Sequence, residues 1–348
     1  MLIEKIDEKT TFAYSPHLDA IFSVFNLLGG GKAGKLCADI YGEEQIAVWK
    51  KKYPFLLETS AALRNIYPFG IMDFILDMEM DGLDLSCFHD FLKGLKTEDF
   101  LWRMLDLEFT DNAGKETLAK ALTDDSALDE VYGWVQDRCS SFLPFTALVR
   151  QSRRYIDEFF ALALELLDAY PQDAQENQEA AAFAMKAEIS NNVRKLGAFD
   201  YSQKIMGKTF RNRGPYDRFV FIPSYTMFCK SCRFFNVKEE YKSQVLFMSL
   251  RNEEHNQEDL VKALKAMGDT TRYQILMLLA KEGTLRGMDI AKQVSIATST
   301  VSHHMEQLKE AGLVTEEQVK NSKYYGLNHN SAASLINELK KNLAIKIE

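Results

Sequence analysis

The run from Thr298 to Leu308 constrains this chain more than any other stretch. Val301, Met305 and Leu308 recur at spacings of four and three, which puts them on one apolar stripe of a helix. Thr298, Ser299, Ser302, His303 and Glu306 fall on the opposite face, and all but Glu306 are small or polar hydrogen-bonding groups. Ala311-Gly312 closes the helix, because glycine accepts the backbone of a helix C-terminus. Upstream, Met288, Ile290, Ala291 and Val294 mark a shorter amphipathic helix within Arg286 to Val294, and Ser295-Ile296-Ala297 interrupts the period. Downstream, Leu313 to Leu327 alternates as strands do, about a turn at Lys320-Asn321-Ser322-Lys323.

Two short helices at a tight turn, closed by a polar hairpin, predict a winged helix-turn-helix. In that arrangement the second helix enters the major groove of double-stranded DNA. Thr298, Ser299, Ser302 and His303 are the expected base-reading residues. Lys320 and Lys323 flank the hairpin tip, where a wing touches phosphate. Leu313, Tyr325 and Leu327 are expected to pack back on the helices.

The blocks ALKAMGDTTRYQILMLL, STVSHHMEQLKEAGLV and YYGLN, in order and at this spacing, resemble the ArsR-type winged helix-turn-helix regulators. The resemblance covers the last ninety or so residues. It implies a homodimer, usually a repressor, that releases DNA when an effector binds. Metal-sensing members carry two thiolates at the start of the first helix of the motif. Arg286 and Met288 stand there instead, and arginine cannot ligate a metal. Ala297 replaces the usual serine N-cap, so Thr298 is expected to cap the helix. The first wing strand carries Glu316 and Glu317.

With 348 residues, the chain is too long for one winged helix, and a further domain is expected. All Phe, Trp and Cys residues precede residue 255, and the polar run Arg251 to Gln257 follows that break. The division predicted is 1–250, a mainly helical sensor or assembly domain ending in a small antiparallel sheet, and 255–348, the DNA-binding domain. The fold class is therefore mainly α with a small antiparallel β element. The net charge of −8 belongs to the first part, since residues 255–348 hold 12 Lys+Arg against 11 Asp+Glu. Few phosphates can then be neutralised per subunit, so non-specific affinity should be modest. No apolar run approaches a membrane span, and the first residues do not read as a signal peptide. A cytoplasmic protein with reduced thiols is expected.

Within the first part, His17 to Leu28 has helical periodicity. Gly29 to Leu36 nearly matches a phosphate-binding loop, but Leu36 replaces the Ser/Thr and a helix precedes it. Thr146 to Ala169 and Ala174 to Leu196 predict two long helices, expected as an antiparallel pair. Arg194 to Arg233 is basic, a surface counter-charge to the acidic helices, an anion site, or a patch that grips DNA backbone beside the winged helix. Tyr216 to Pro223, Phe228 to Val237 and Tyr241 to Leu250 predict strands. Cys229-Lys230-Ser231-Cys232 is half of a zinc site with no second pair, which leaves unremarkable thiols or a redox pair.

The expected function is a transcription regulator that binds an operator as a dimer and carries a domain for a small-molecule effector or for assembly. Two alternatives remain: a nucleotide-binding enzyme fused to a DNA-binding domain, and a thiol switch through Cys229 and Cys232. No catalytic set, metal site or cofactor is assigned, and no enzyme activity is expected.

Overall fold

A computed structural model describes residues 2–63, 70–107, 114–137, 139, 141–207, 216–235, 243–251, 257–319 and 322–343. The chain divides into two compact units, residues 1–202 with 212–250 and residues 203–211 with 251–348. It is mainly helical with small sheets, as the periodicities predict.

In the first unit, five strands form one sheet among the described residues. They are β1 (Leu2–Lys5), β2 (Thr10–Tyr14), β3 (Arg218–Ser224), β4 (Ser231–Phe235) and β5 (Ser243–Ser249), in the order β1-β2-β3-β5-β4. β4–β5 is antiparallel, as expected of residues 216–250, and so is β1–β2, whose strands the sequence pattern does not predict. β2–β3 and β3–β5 are parallel, which corrects the expectation of a purely antiparallel sheet. The reason is burial. Phe219 to Ile222 and Val245 to Met248 are continuous apolar runs, buried throughout, and such runs suit parallel strands covered on both faces.

The helix α1 (Pro16–Leu28) lies between that sheet and α4. Phe22 meets Phe247 of β5 edge to face at 4.9 Å. On the other side Phe25 meets Phe159 at 5.4 Å. Because α1 is covered nearly all round, its polar residues need internal partners. Asn26 Nδ2 donates to the Thr226 carbonyl at 2.6 Å, and Thr226 Oγ1 donates to the Asp19 carbonyl at 2.7 Å.

After α1 comes α2 (Gly31–Tyr41), and further along α3 (Leu85–Gly94), α4 (Ser152–Asp168) and α5 (Gln172–Leu196). The expected long helix from Thr146 is broken at Gln151, whose backbone leaves the helical region, so Phe142–Arg150 is a separate helix. The main packing of α4 is against α1 and α3, while α5 lies against β2 and β3. Arg153 fastens α4 to the end of α3 by donating to the carbonyls of Leu92 and Lys93 at 3.0 and 2.8 Å.

The second unit holds α6 (Gln257–Met267), α7 (Thr270–Glu282), α8 (Gly287–Val294), α9 (Thr298–Glu310) and α10 (His329–Asn342). A three-stranded sheet accompanies them: β6 (Leu285–Arg286), β7 (Val314–Val319) and β8 (Ser322–Leu327), in the order β6-β8-β7. Val301, Met305 and Leu308 are buried with Ile275, Leu279, Ile290, Leu313 and Tyr325 in one core. The stripe read from the sequence is thus the face that α9 buries.

Candidate nucleic-acid interface

The turn between α8 and α9 is sharp because Ser295 adopts a left-handed backbone, φ 59°, at the end of α8. Ala297 is then the N-cap residue of α9, and Val301 N–H bonds to its carbonyl at 3.0 Å. Thr298 lies inside the first turn, which corrects the expectation that it caps the helix. Alanine has no side-chain acceptor, so the first amides of α9 carry no side-chain cap. They leave a positive helix end, the polarity that suits a phosphate.

Thr298, Ser299, Ser302 and His303 are all exposed on α9, on the side away from the buried stripe. Thr300 is exposed beside them and belongs to the same surface. Helical spacing puts it at the flank of the polar face, so the sequence pattern alone does not single it out. Its place in the first turn, where side chains on every side clear the core, was the available signal.

The chemistry of this face is set by its partners. Ser302 Oγ donates to the Thr298 carbonyl at 3.1 Å, which leaves its lone pairs to accept. His303 Nε2 lies 3.1 Å from Gln307 Nε2. The Gln307 carbonyl oxygen is taken by Arg272 Nη1. A guanidinium can only donate, so Gln307 must present its oxygen to Arg272 and its amide N–H to His303. His303 therefore accepts at Nε2 and carries its proton on Nδ1. Arg272 is anchored in turn, since Nε donates to the Ala266 carbonyl at 2.6 Å and Nη2 to the Lys265 carbonyl at 3.1 Å. Its backbone N–H donates to Asp269 Oδ1 at 2.9 Å, the N-cap bond of α7. A chain of bonds from α6 through Arg272 and Gln307 thus orients His303. Neither Arg272 nor Gln307 was singled out from the sequence, where nothing marks which surface polar residues meet.

On the wing, Lys323 is exposed but occupied. Its Nζ lies 3.3 Å from the Glu316 carboxylate, and Lys309 Nζ lies 3.4 Å from the same group. Burial pushes the Glu316 carboxyl up, but the Lys323 hydrogen bond and the two lysine charges outweigh it and hold the group below its ordinary value. The hydrogen bond to Glu316 likewise raises Lys323. Lys320 lies outside the described residues. At the other edge of the wing, Arg286 Nε donates to the Tyr324 hydroxyl, and its guanidinium lies 5.1 Å from that ring centroid.

The remaining assignments fall in the first unit. Cys229 lies in the bend before β4 and Cys232 in β4, both partly buried against the core. Gly29 to Leu36 is a helix-to-helix turn running into α2, with Gly31 at φ 58°. A phosphate-binding loop follows a strand, so this segment lacks the required context. Of the basic segment, Arg218 and Arg233 lie in the sheet. Arg233 donates to Gln244 Oε1 at 3.0 Å and stacks 4.4 Å from the Phe235 centroid. The expected loop at Arg211 to Gly214 lies outside the described residues. Among the described residues, no group of three or more His, Cys, Asp or Glu is placed to hold a metal ion, and no helix is long and apolar enough to cross a membrane.

Comparison with known proteins bears on the same region. Residues 269–316 match the family model described as bacterial regulatory protein, arsR family. The chain is 33% identical over 81 residues to a cadmium resistance transcriptional regulatory protein CadC homolog of Staphylococcus aureus, covering 23% of this chain and 67% of that one. It is 39% identical over 64 residues to the transcriptional repressor SdpR of Bacillus subtilis, 18% of this chain and 70% of that one. With the arsenical resistance operon repressor of Staphylococcus aureus it shares 33% identity over 87 residues, 25% of this chain and 79% of that one. Among solved structures, HlyU from Vibrio cholerae aligns at 26% identity with a TM-score of 0.22, covering 26% of this chain and 99% of that one. The matched residues 269–316 take in α7, α8, α9 and the start of β7, and the chain belongs to the ArsR family of bacterial regulatory proteins.

Proposed function

We propose that this chain is a transcriptional repressor that binds an operator as a homodimer, reading bases with α9 and touching phosphate with the wing. The observation that carries this reading is the exposed row Thr298, Ser299, Thr300, Ser302 and His303 on a helix whose opposite stripe is buried. Those groups suit the edges presented in the major groove, and His303 is held in one tautomer to do so. The relatives supply the class of function, since SdpR and the arsenical resistance protein are repressors by name.

The dimer reading rests on apolar side chains left open within the second unit. Val261 and Leu264 on α6 are 42% and 38% exposed, and Ile336 on α10 is 50% exposed. A symmetric contact through terminal helices would cover them and set the half-site spacing. The first unit is then the sensor domain, in which an effector must favour one state of the regulator to change its affinity for DNA. The test is fluorescence anisotropy on duplex DNA from the gene's own upstream region, with sedimentation equilibrium beside it. Tight, salt-sensitive binding that scrambled DNA does not share, by a dimer that Ile336→Glu dissociates, is the expected result. Weak binding alike to both duplexes would refute the reading.

A further inference from the structure

His303 offers DNA one kind of hydrogen-bonding group and withholds the other. Its Nε2 lies 3.1 Å from Gln307 Nε2, four residues further along α9. Gln307 cannot turn its amide round without loss, because Arg272 Nη1 holds its carbonyl oxygen. Arg272 is itself fixed by the carbonyls of Ala266 and Lys265, which its Nε and Nη2 reach at 2.6 and 3.1 Å. A guanidinium only donates, so the direction of every bond in this chain is set at its Arg272 end. The last acceptor in the chain is His303 Nε2, and the imidazole proton is left on Nδ1. Among the described residues no acceptor takes that proton, and His303 is exposed on the side of α9 away from the buried stripe.

An unconstrained imidazole presents a donor or an acceptor by moving one proton, and so adapts to any base edge. Held by Gln307, His303 presents N–H alone. In the major groove guanine shows two acceptors, O6 and N7, and no donor. Cytosine shows the N4–H₂ donor, adenine sets its N6–H₂ donor beside N7, and thymine sets its methyl beside O4. An N–H brought to guanine therefore finds an acceptor on either side of its approach. Brought to cytosine, it faces another donor, and both groups give up water for nothing.

We infer that His303 reads guanine, and that Gln307, held by Arg272, is the positioning residue that fixes this choice. The inference rests on the reading of α9 as the base-contacting helix. It adds the identity of one base and a residue that sets it through another side chain.

The test has two arms, both on the full chain. In the first, proton–nitrogen correlation spectra of protein labelled with nitrogen-15 at histidine, without DNA, identify the protonated nitrogen of His303. Its signals are those that His303→Ala removes. The wild type should carry the proton on Nδ1, and Gln307→Met, which takes away the amide donor, should move part of it to Nε2. A proton on Nε2 in the wild type would overturn the inference and leave base reading by α9 standing. In the second arm, anisotropy is measured on upstream duplexes with each base pair replaced in turn. The position whose replacement weakens the wild type but not His303→Ala is the one that His303 reads. Guanine is expected there, with a loss of about fivefold on replacement by cytosine. Gln307→Met should lose most of that difference. Another base at that position, no position that depends on His303, or undiminished discrimination by folded Gln307→Met would each refute the assignment. Should Gln307→Met not fold, the wild-type tautomer and the base identity decide alone. A wild type with no sequence preference at all would sink base reading by α9, and this inference with it.

Discussion

Lys323 on β8 and Glu316 on β7 are bound to each other across the wing, Nζ to carboxylate at 3.3 Å, with Lys309 of α9 reaching the same carboxylate oxygen at 3.4 Å. Glu316 faces Tyr325 in the β7–β8 register, so Lys323 is its diagonal neighbour on one face of the ribbon. Two cations that could meet phosphate are thus held by one anion. Glu316→Gln should release both. DNA affinity should rise severalfold at low salt, and the slope of log K against log salt should steepen by about 0.9 for each phosphate gained. Anisotropy titrations across a salt series measure this, and an unchanged slope would show that neither lysine reaches the backbone.

Arg272 joins α6 to α9 through the carbonyls of Lys265 and Ala266 and through Gln307. Arg272→Met removes the donors and leaves those carbonyls unpaired, at a cost of about 2–3 kcal/mol. The winged-helix unit contains no tryptophan, since Trp49, Trp102 and Trp134 all lie in the first unit. Urea unfolding followed by circular dichroism should therefore show an earlier transition that tryptophan fluorescence does not report. Identical unfolding of variant and wild type by circular dichroism would mean that the network adds nothing to stability.

Asp19 gives the first unit a pH dependence of definite sign. Its folded-state carboxyl is raised to about 7, so between about pH 4 and 7 the folded chain holds a proton that the unfolded chain has released. The associated stability is complete below about pH 4 and is lost as the pH rises through 7, roughly 4 kcal/mol in all. Asp19→Asn keeps an acceptor for the Tyr225 N–H and never ionises. It should be more stable than the wild type at pH 8 by a few kcal/mol, and the difference should shrink toward pH 5. Urea midpoints read by tryptophan fluorescence at the two values test this. A difference independent of pH would place the effect in packing and not in ionisation.

The second unit was the more legible part of the chain, because local periodicity dictates it. Val301, Met305 and Leu308 mark the buried face of α9, and the polar row opposite them follows directly. What the sequence hid depends on distant partners. β1 and β2 are short and partly polar, and become strands only by pairing with each other and with β3. The parallel register of β3 with β5 is a tertiary choice, although the unbroken apolar runs at Phe219 and Val245 carry its signature. Gln151 ends a helix that apolar spacing alone would continue. The Arg272–Gln307–His303 chain needs side chains brought together from α7 and α9. Asp19 stands as one carboxylate inside the apolar pattern of α1, but only the packing of the sheet and α4 around that helix shows that it is buried.

The central claim is that α9 reads base sequence. The direct measurement is the affinity of wild type and of Ser302→Ala/His303→Ala for upstream duplex and for scrambled duplex, over a range of salt. At about 1–3 kcal/mol for a base-edge contact, the double variant should lose at least tenfold in affinity for the upstream duplex. Its binding to scrambled DNA and its salt slope should not change, because neither residue neutralises phosphate. Equal affinity of both proteins for both duplexes would contradict the account.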